Sequence, residues 1–121
     1  MPHELKANLE KGYVHLVYSG TVQLNERKEA RDAVFQLCHE HGLSRALVDM
    51  HNSNIELTSP GVMAFVNAFL QANLPTNYRL ACIAKPNDPI EQLVETLLSI
   101  DGIDVRYFYS EPEAIIWLRA I

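Results

Sequence analysis

Three short apolar runs, at residues 46–50, 79–84 and 105–109, alternate with stretches whose apolar residues recur every three to four positions. That alternation limits the fold more than anything else in the chain. Mainly apolar runs of this length, here each with one charged residue, read as strands of a covered sheet, and the recurring pattern between them reads as helix. A strand, a helix and a second strand in one sheet form a right-handed crossover, so the chain predicts successive parallel βαβ units.

The helices carry their own punctuation. From Asn25, a candidate N-cap, the residues Ala30, Val34, Leu37, Cys38 and His41 follow helical spacing. Arg27, Lys28, Arg31, Asp32 and Gln36 are expected mostly to fill the wet side, and Gly42 falls where a left-handed residue closes a helix. Residues 59–74 form the second helical pattern. Asp88-Pro89-Ile90-Glu91 reads as the start of a third, with a cap, a proline and a capping-box glutamate. Its apolar positions are Ile90, Leu93, Val94, Leu97 and Leu98, and Asp101-Gly102 stops it. Ser110 and Glu113 read as a capping box for a last helix over residues 114–121, anchored by Trp117. Ahead of all this, residues 5–9 and 13–19 flank Glu10-Lys11-Gly12, a hairpin with glycine where a tight turn needs positive φ. The predicted order is β-β-α-β-α-β-α-β-α: an α/β fold with a mixed, mostly parallel five-stranded sheet and about four helices. The 121 residues fit one domain, with no linker or repeat.

Charge and cysteines exclude several roles. Ten Lys and Arg against fifteen Asp and Glu give a net charge of −5, and the basic residues are scattered. Binding to nucleic acid needs a basic patch, so no nucleic-acid partner is expected. Cys38 and Cys82 read as small buried hydrophobes rather than a disulfide. The first residues show no apolar signal core, so a cytoplasmic location is expected, with peripheral membrane contact as one reading.

The second helical pattern is the most unusual. No charged residue lies between Glu56 and Arg79. Val62, Phe65, Val66 and Phe69 form one apolar stripe, while Met63, Leu70 and Leu74 add apolar surface away from it. A helix facing water normally carries a charged face. Three readings follow: a core or dimer helix, a lid hinged at Gly61 and Pro75 over an apolar cavity, or a helix resting on a membrane surface. A dimer or core role is the plainest of these, and a homodimer is expected. The candidate ligand or interface residues are therefore Val62, Met63, Phe65, Val66, Phe69 and Leu70.

Asp49, His51 and Asn52 follow a parallel strand at its carboxyl end, where open α/β sheets bind ligands. With Ser53 or Ser59 they form only a weak hydrolytic triad, since no nucleophile elbow is present. The plainer reading is a turn in which Asp49 ties down backbone N–H groups. His39 and His41 point to different helix faces and share no metal easily. No catalytic residue, metal or cofactor is expected.

The element order, together with Ser44-Arg45-Ala46-Leu47-Val48-Asp49-Met50, Arg79-Leu80-Ala81-Cys82-Ile83-Ala84, and Val105-Arg106-Tyr107-Phe108 leading into Glu113-Ala114-Ile115-Ile116-Trp117-Leu118, resembles the SpoIIAA-like branch of the STAS superfamily. That branch holds anti-sigma-factor antagonists and relatives, which also resemble the CRAL-TRIO lipid-binding fold. The resemblance implies a STAS fold over the chain and a binding role without catalysis. A small apolar molecule or a lipid beneath or beside the second helix is one implied ligand. The alternative is a regulatory protein partner. Phosphoregulated members open the second helix with Asp-Ser-Ser-Gly-Leu, the serine before glycine taking the phosphate. Here the stretch is Thr58-Ser59-Pro60-Gly61-Val62, with Pro60 at the acceptor position, so a phosphosite falls to Ser59 or Thr58. Ser59 also reads as the helix cap, with Pro60 in its first turn.

Overall fold

The structure, a computed structural model, describes residues 3–120. The chain runs β1 (His3–Asn8), β2 (Tyr13–Tyr18), β3 (Gly20–Val22), α1 (Leu24–His41), β4 (Arg45–Asp49), β5 (Ser53–Ile55), α2 (Ser59–Leu70), β6 (Arg79–Ile83), α3 (Pro89–Ile100), β7 (Asp104–Phe108) and α4 (Glu111–Arg119). Five strands form the main sheet in the order β1-β2-β4-β6-β7. β1 is antiparallel to β2, and the other neighbours are parallel. The β1–β2 hairpin closes on Gly12 at φ 81°, whose N–H donates to the Asn8 carbonyl at 2.8 Å. Gly42 ends α1 at φ 64°, as its position predicts.

Each right-handed crossover steps in the same direction across the sheet, so α1, α2 and α3 lie side by side on one face. They bury Val34, Cys38, Phe65, Phe69, Val94 and Leu98 against Val14, Leu16 and Leu80 of the strands. α4 alone covers the other face. Its Ala114 and Leu118 pack on Leu47, Ala81 and Ile83. Arg45 and Arg79 donate to the carbonyls of Leu118, Trp117 and Ala120, which holds the end of α4 and complements its negative pole. Trp117 is half-buried there, its ring tilted against Phe108 and under Arg79.

Several local expectations are corrected. β3 and β5 form a second, two-stranded parallel sheet where the sequence reads as loop. α1 starts after Gln23, not Asn25, with no side-chain cap. α2 stops at Leu70 rather than residue 74: Pro75 disfavours a helical Leu74, and the chain tightens through Ala72 N–H to Phe69 O. Thr58, not Ser59, is the N-cap of α2. Ser110 precedes α4 without a side-chain cap bond. That helix starts at Glu111, ahead of the expected residue 114, and stops at Arg119 with Ala120 extended, short of the expected end; Ile121 itself lies outside the described residues.

The largest correction concerns charge. Arg27 is buried at 4% exposure and Glu91 at 2%. Asp88 caps α3 as predicted, accepting from Glu91 N–H at 3.2 Å. The Glu91 side chain does not complete a capping box. It turns inward and meets Arg27 in a two-pronged pair, Nη1 to Oε2 and Nη2 to Oε1, both 2.7 Å. Tyr107 Oη on β7 adds a 2.7 Å bond to Oε1. Burial alone would lower the Arg27 pKa, but the Glu91 carboxylate raises it to a net upward shift. The Tyr107 hydroxyl is pushed well up by burial and by the same carboxylate. Glu95 adds a second tie by accepting from Tyr107 N–H at 2.8 Å, which occupies a donor of edge strand β7.

The buried pair and a half-buried histidine each give a test. Arg27→Met leaves a buried carboxylate unpaired and costs about 3–5 kcal/mol in urea unfolding, whereas Arg27→Met with Glu91→Leu recovers most of that loss. Equal losses for the single and double variants would contradict the pairing. The second concerns His15, half-buried on the α4 face of β2 with its Nε2 unpartnered. Burial holds its pKa below 6.5, against the upward pull of Glu111 and Asp49 and with the help of Lys6. The unfolded chain then binds more protons, so the stability tied to neutral His15 is complete above pH 6.5 and is lost as pH falls below it. An NMR titration of the ring should give a midpoint under 6.5; one at or above that value contradicts the burial argument.

Candidate functional site

α2 is the middle helix of its layer, with α1 and α3 packed on its two flanks. Thr58 is extended, at φ −86° and ψ 168°, and its Oγ1 accepts from Gly61 N–H at 3.2 Å. Pro60 sits in the first turn, where no N–H is needed. Gly61 makes room for the cap, because a Cβ there would come within 3.3 Å of Thr58 Oγ1.

The predicted stripe Val62, Phe65, Val66 and Phe69 is entirely buried by the chain itself. Phe69 meets Phe35 edge-to-face at 5.4 Å. The Arg27 guanidinium lies 4.4 Å above the Phe65 ring and that of Arg31 lies 5.8 Å from it, both within cation–π range. These four residues are core. Met63 and Leu70, by contrast, are 47% and 38% exposed. With exposed Asn67 they follow helical spacing along the outer side of α2, forming an uncharged strip. Leu74, past the end of the helix, is half-buried against the core.

Beneath α2 lies a cavity of about 40 Å³, lined by Val34, Phe65, Phe69, Tyr78, Arg27 and Arg31 among others. A pocket for a drug-sized or acyl ligand is several hundred cubic ångströms. An acyl chain therefore has no preformed place under the helix.

The loop after β4 is pinned rather than poised. Asp49 is buried, and its Oδ1 accepts from His51 N–H at 3.1 Å and contacts His51 Nδ1. His51 and Asn52 are exposed. Ser53 Oγ donates to the Met50 carbonyl at 2.7 Å, so its hydroxyl is occupied within the turn. Asp49 and His51 are thus brought together, while Ser53 turns away from them. Ser59 lies exposed in the first turn of α2.

Among the described residues no group of three or more His, Cys, Asp or Glu side chains is placed to hold a metal. His39 and His41 are exposed, and His39 Nε2 meets the Asn73 carbonyl at 2.9 Å, tying the segment after α2 to α1. Both cysteines are free and buried, and burial pushes the Cys38 thiol up to about 11. No described helix is long and apolar enough to cross a membrane.

The residues that sequence reasoning placed wrongly are Arg27, Arg31 and Glu91. A signal was present. Arg27 precedes Ala30, Val34 and Cys38 at helical spacing, and Glu91 stands in the same relation to Val94 and Leu98. One opposite charge on each of two apolar stripes marks an internal pair.

No protein-family model matches the chain, and no curated protein does. Solved structures do. The anti-sigma factor antagonist SpoIIAA in its unphosphorylated form is similar with a TM-score of 0.63 at 14% identity, over 98% of this chain and 99% of that one. An uncharacterised DUF3478-family protein from Shewanella loihica PV-4, described as having a SpoIIAA-like fold, gives 0.61 at 14% identity, over 96% and 91%. The phosphorylated form of the Bacillus cell fate determinant SpoIIAA gives 0.52 at 13% identity, over 95% and 97%. At such identities the likeness is one of fold: the described residues, four helices on a five-stranded mixed sheet, have a SpoIIAA-like fold.

Proposed function

We propose that the protein is a non-enzymatic regulatory module that docks a protein partner on the outer strip of α2 and its N-terminal turn. The observation that carries this reading is the strip itself. Met63, Asn67 and Leu70 face outward without a single charge, on a helix whose opposite side is fixed in the core. An exposed apolar strip on a rigid element is the usual mark of a protein contact. The likeness in fold to a solved structure described as an anti-sigma factor antagonist supports a regulatory partner over a lipid. The size of the cavity points the same way, because it is too small for an acyl chain.

Phosphorylation belongs to this reading at Ser59 rather than Thr58. Thr58 Oγ1 is already engaged as the helix cap. Ser59 is exposed beside it, where a phosphate meets the positive pole of α2. A second copy of the chain on the same strip is the competing occupant.

The test is substitution of the strip. Met63→Asp and Leu70→Asp change stability by less than about 1 kcal/mol, since both side chains are already partly wet. Crosslinking in cells should recover a partner with the wild-type protein and with Ile116→Asp, an exposed site on α4, and lose it with either strip variant. A partner retained by both strip variants would overturn the assignment. A wild-type dimer that the strip variants convert to monomer would replace the regulatory partner with a second copy.

A further inference from the structure

Two arginines of α1 enter the layer beneath α2, and only one is fully paired. Arg27 has the two-pronged contact with Glu91. The side chain of Arg31 is nine-tenths buried, at 10% exposure, and lines the same cavity. Its Nε and Nη2 share one oxygen of Asp32, at 3.1 and 2.8 Å, on a side chain that is 64% exposed. Its Nη1 is buried with no partner. A buried, unmatched donor on a charged group is costly and calls for an acceptor. Both guanidiniums also lie against the Phe65 ring, so the cavity wall holds a positive charge answered only by a surface carboxylate.

We propose that the cavity beneath α2 binds a small carboxylate of acetate size. Its oxygens accept from Arg31 Nη1, and its methyl group rests among Val34, Phe65 and Phe69. The walls choose the class. A guanidinium donor selects an anion, and a carboxylate oxygen accepts a charge-assisted bond from the free Nη1. The aromatic and aliphatic lining favours a methyl group over a second polar end. The room chooses the size: at about 40 Å³ the cavity is far below the several hundred cubic ångströms of a drug-sized pocket, so only a ligand of a few heavy atoms enters. The site uses the inner face of α2 and does not depend on a partner at the outer strip, so either assignment can fail without the other.

The experiment is NMR and thermal denaturation of the full chain with acetate, acetamide and sodium chloride at constant ionic strength. Acetate should raise Tm and shift the Arg31 Nε–Hε resonance saturably, with the millimolar affinity expected of so few atoms. Labelled acetate should give NOEs to the Phe65 and Phe69 rings. Acetamide, equal in size but neutral, and chloride should do neither. Arg31→Gln should weaken acetate binding by about tenfold or more, as expected for a lost charge-assisted contact. Should that variant fail to fold, the comparison of acetate with acetamide on the wild-type protein decides alone. No saturable shift, an equal response to acetamide or chloride, or full binding by Arg31→Gln would overturn the proposal.

Discussion

The buried contact between Arg27 and Glu91 organises the helical layer. It joins α1 to α3, takes a third bond from Tyr107 on the edge strand β7, and lays a guanidinium on Phe65 of α2. One ion pair therefore touches every helix on that face and the edge strand of the sheet. Its worth lies less in net stability than in specificity. Two well-packed apolar residues often serve a core equally well, but an unpaired charge there is heavily penalised. Any packing of α1 against α3 that separates the two groups is thereby disfavoured, and α2 keeps a fixed place between them.

That placement accounts for half of what makes α2 unusual. A helix with neighbours on both flanks and a sheet below has only its outermost strip in water. Few positions are left for charge, and Ala64 and Ala68 are partly covered. The missing charges thus reflect the layer as much as any ligand. What the layer does not explain is Met63 and Leu70, which reach solvent and still carry no charge nearby on their own helix. This remainder, much narrower than the whole apolar surface of the helix, is where the functional argument rests.

The sequence displays its architecture through elements whose signals are local. Apolar runs mark β4, β6 and β7, Gly42 marks the end of α1, and Asp88 marks the start of α3. It conceals what depends on contacts distant in the chain. Arg27 and Glu91 sit sixty-four residues apart, and the spacing that sets each on an apolar stripe competes with plainer readings, a wet-side arginine and a capping-box glutamate. β3 and β5 are three residues each, too short for a periodicity to register, and exist because they pair with one another. At the start of α2, Thr58 and Ser59 are both good caps, and only backbone geometry assigns the role to Thr58. The candidate strip was legible as part of a charge-free helix, and helical spacing already set Met63 and Leu70 apart from Val62, Phe65, Val66 and Phe69; what covers each side was not legible, because that depends on the positions of α1 and α3.

A fixed α2 that presents its outer strip behaves differently from a lid that lifts from the sheet. Native-state hydrogen exchange tests this most directly. Amides of residues 62–70 should exchange with protection equal to the cores of α1 and α3, opening only with global unfolding. Exchange of that segment at rates near those of the exposed loop at residues 85–87, while α1 and α3 stay protected, would contradict it.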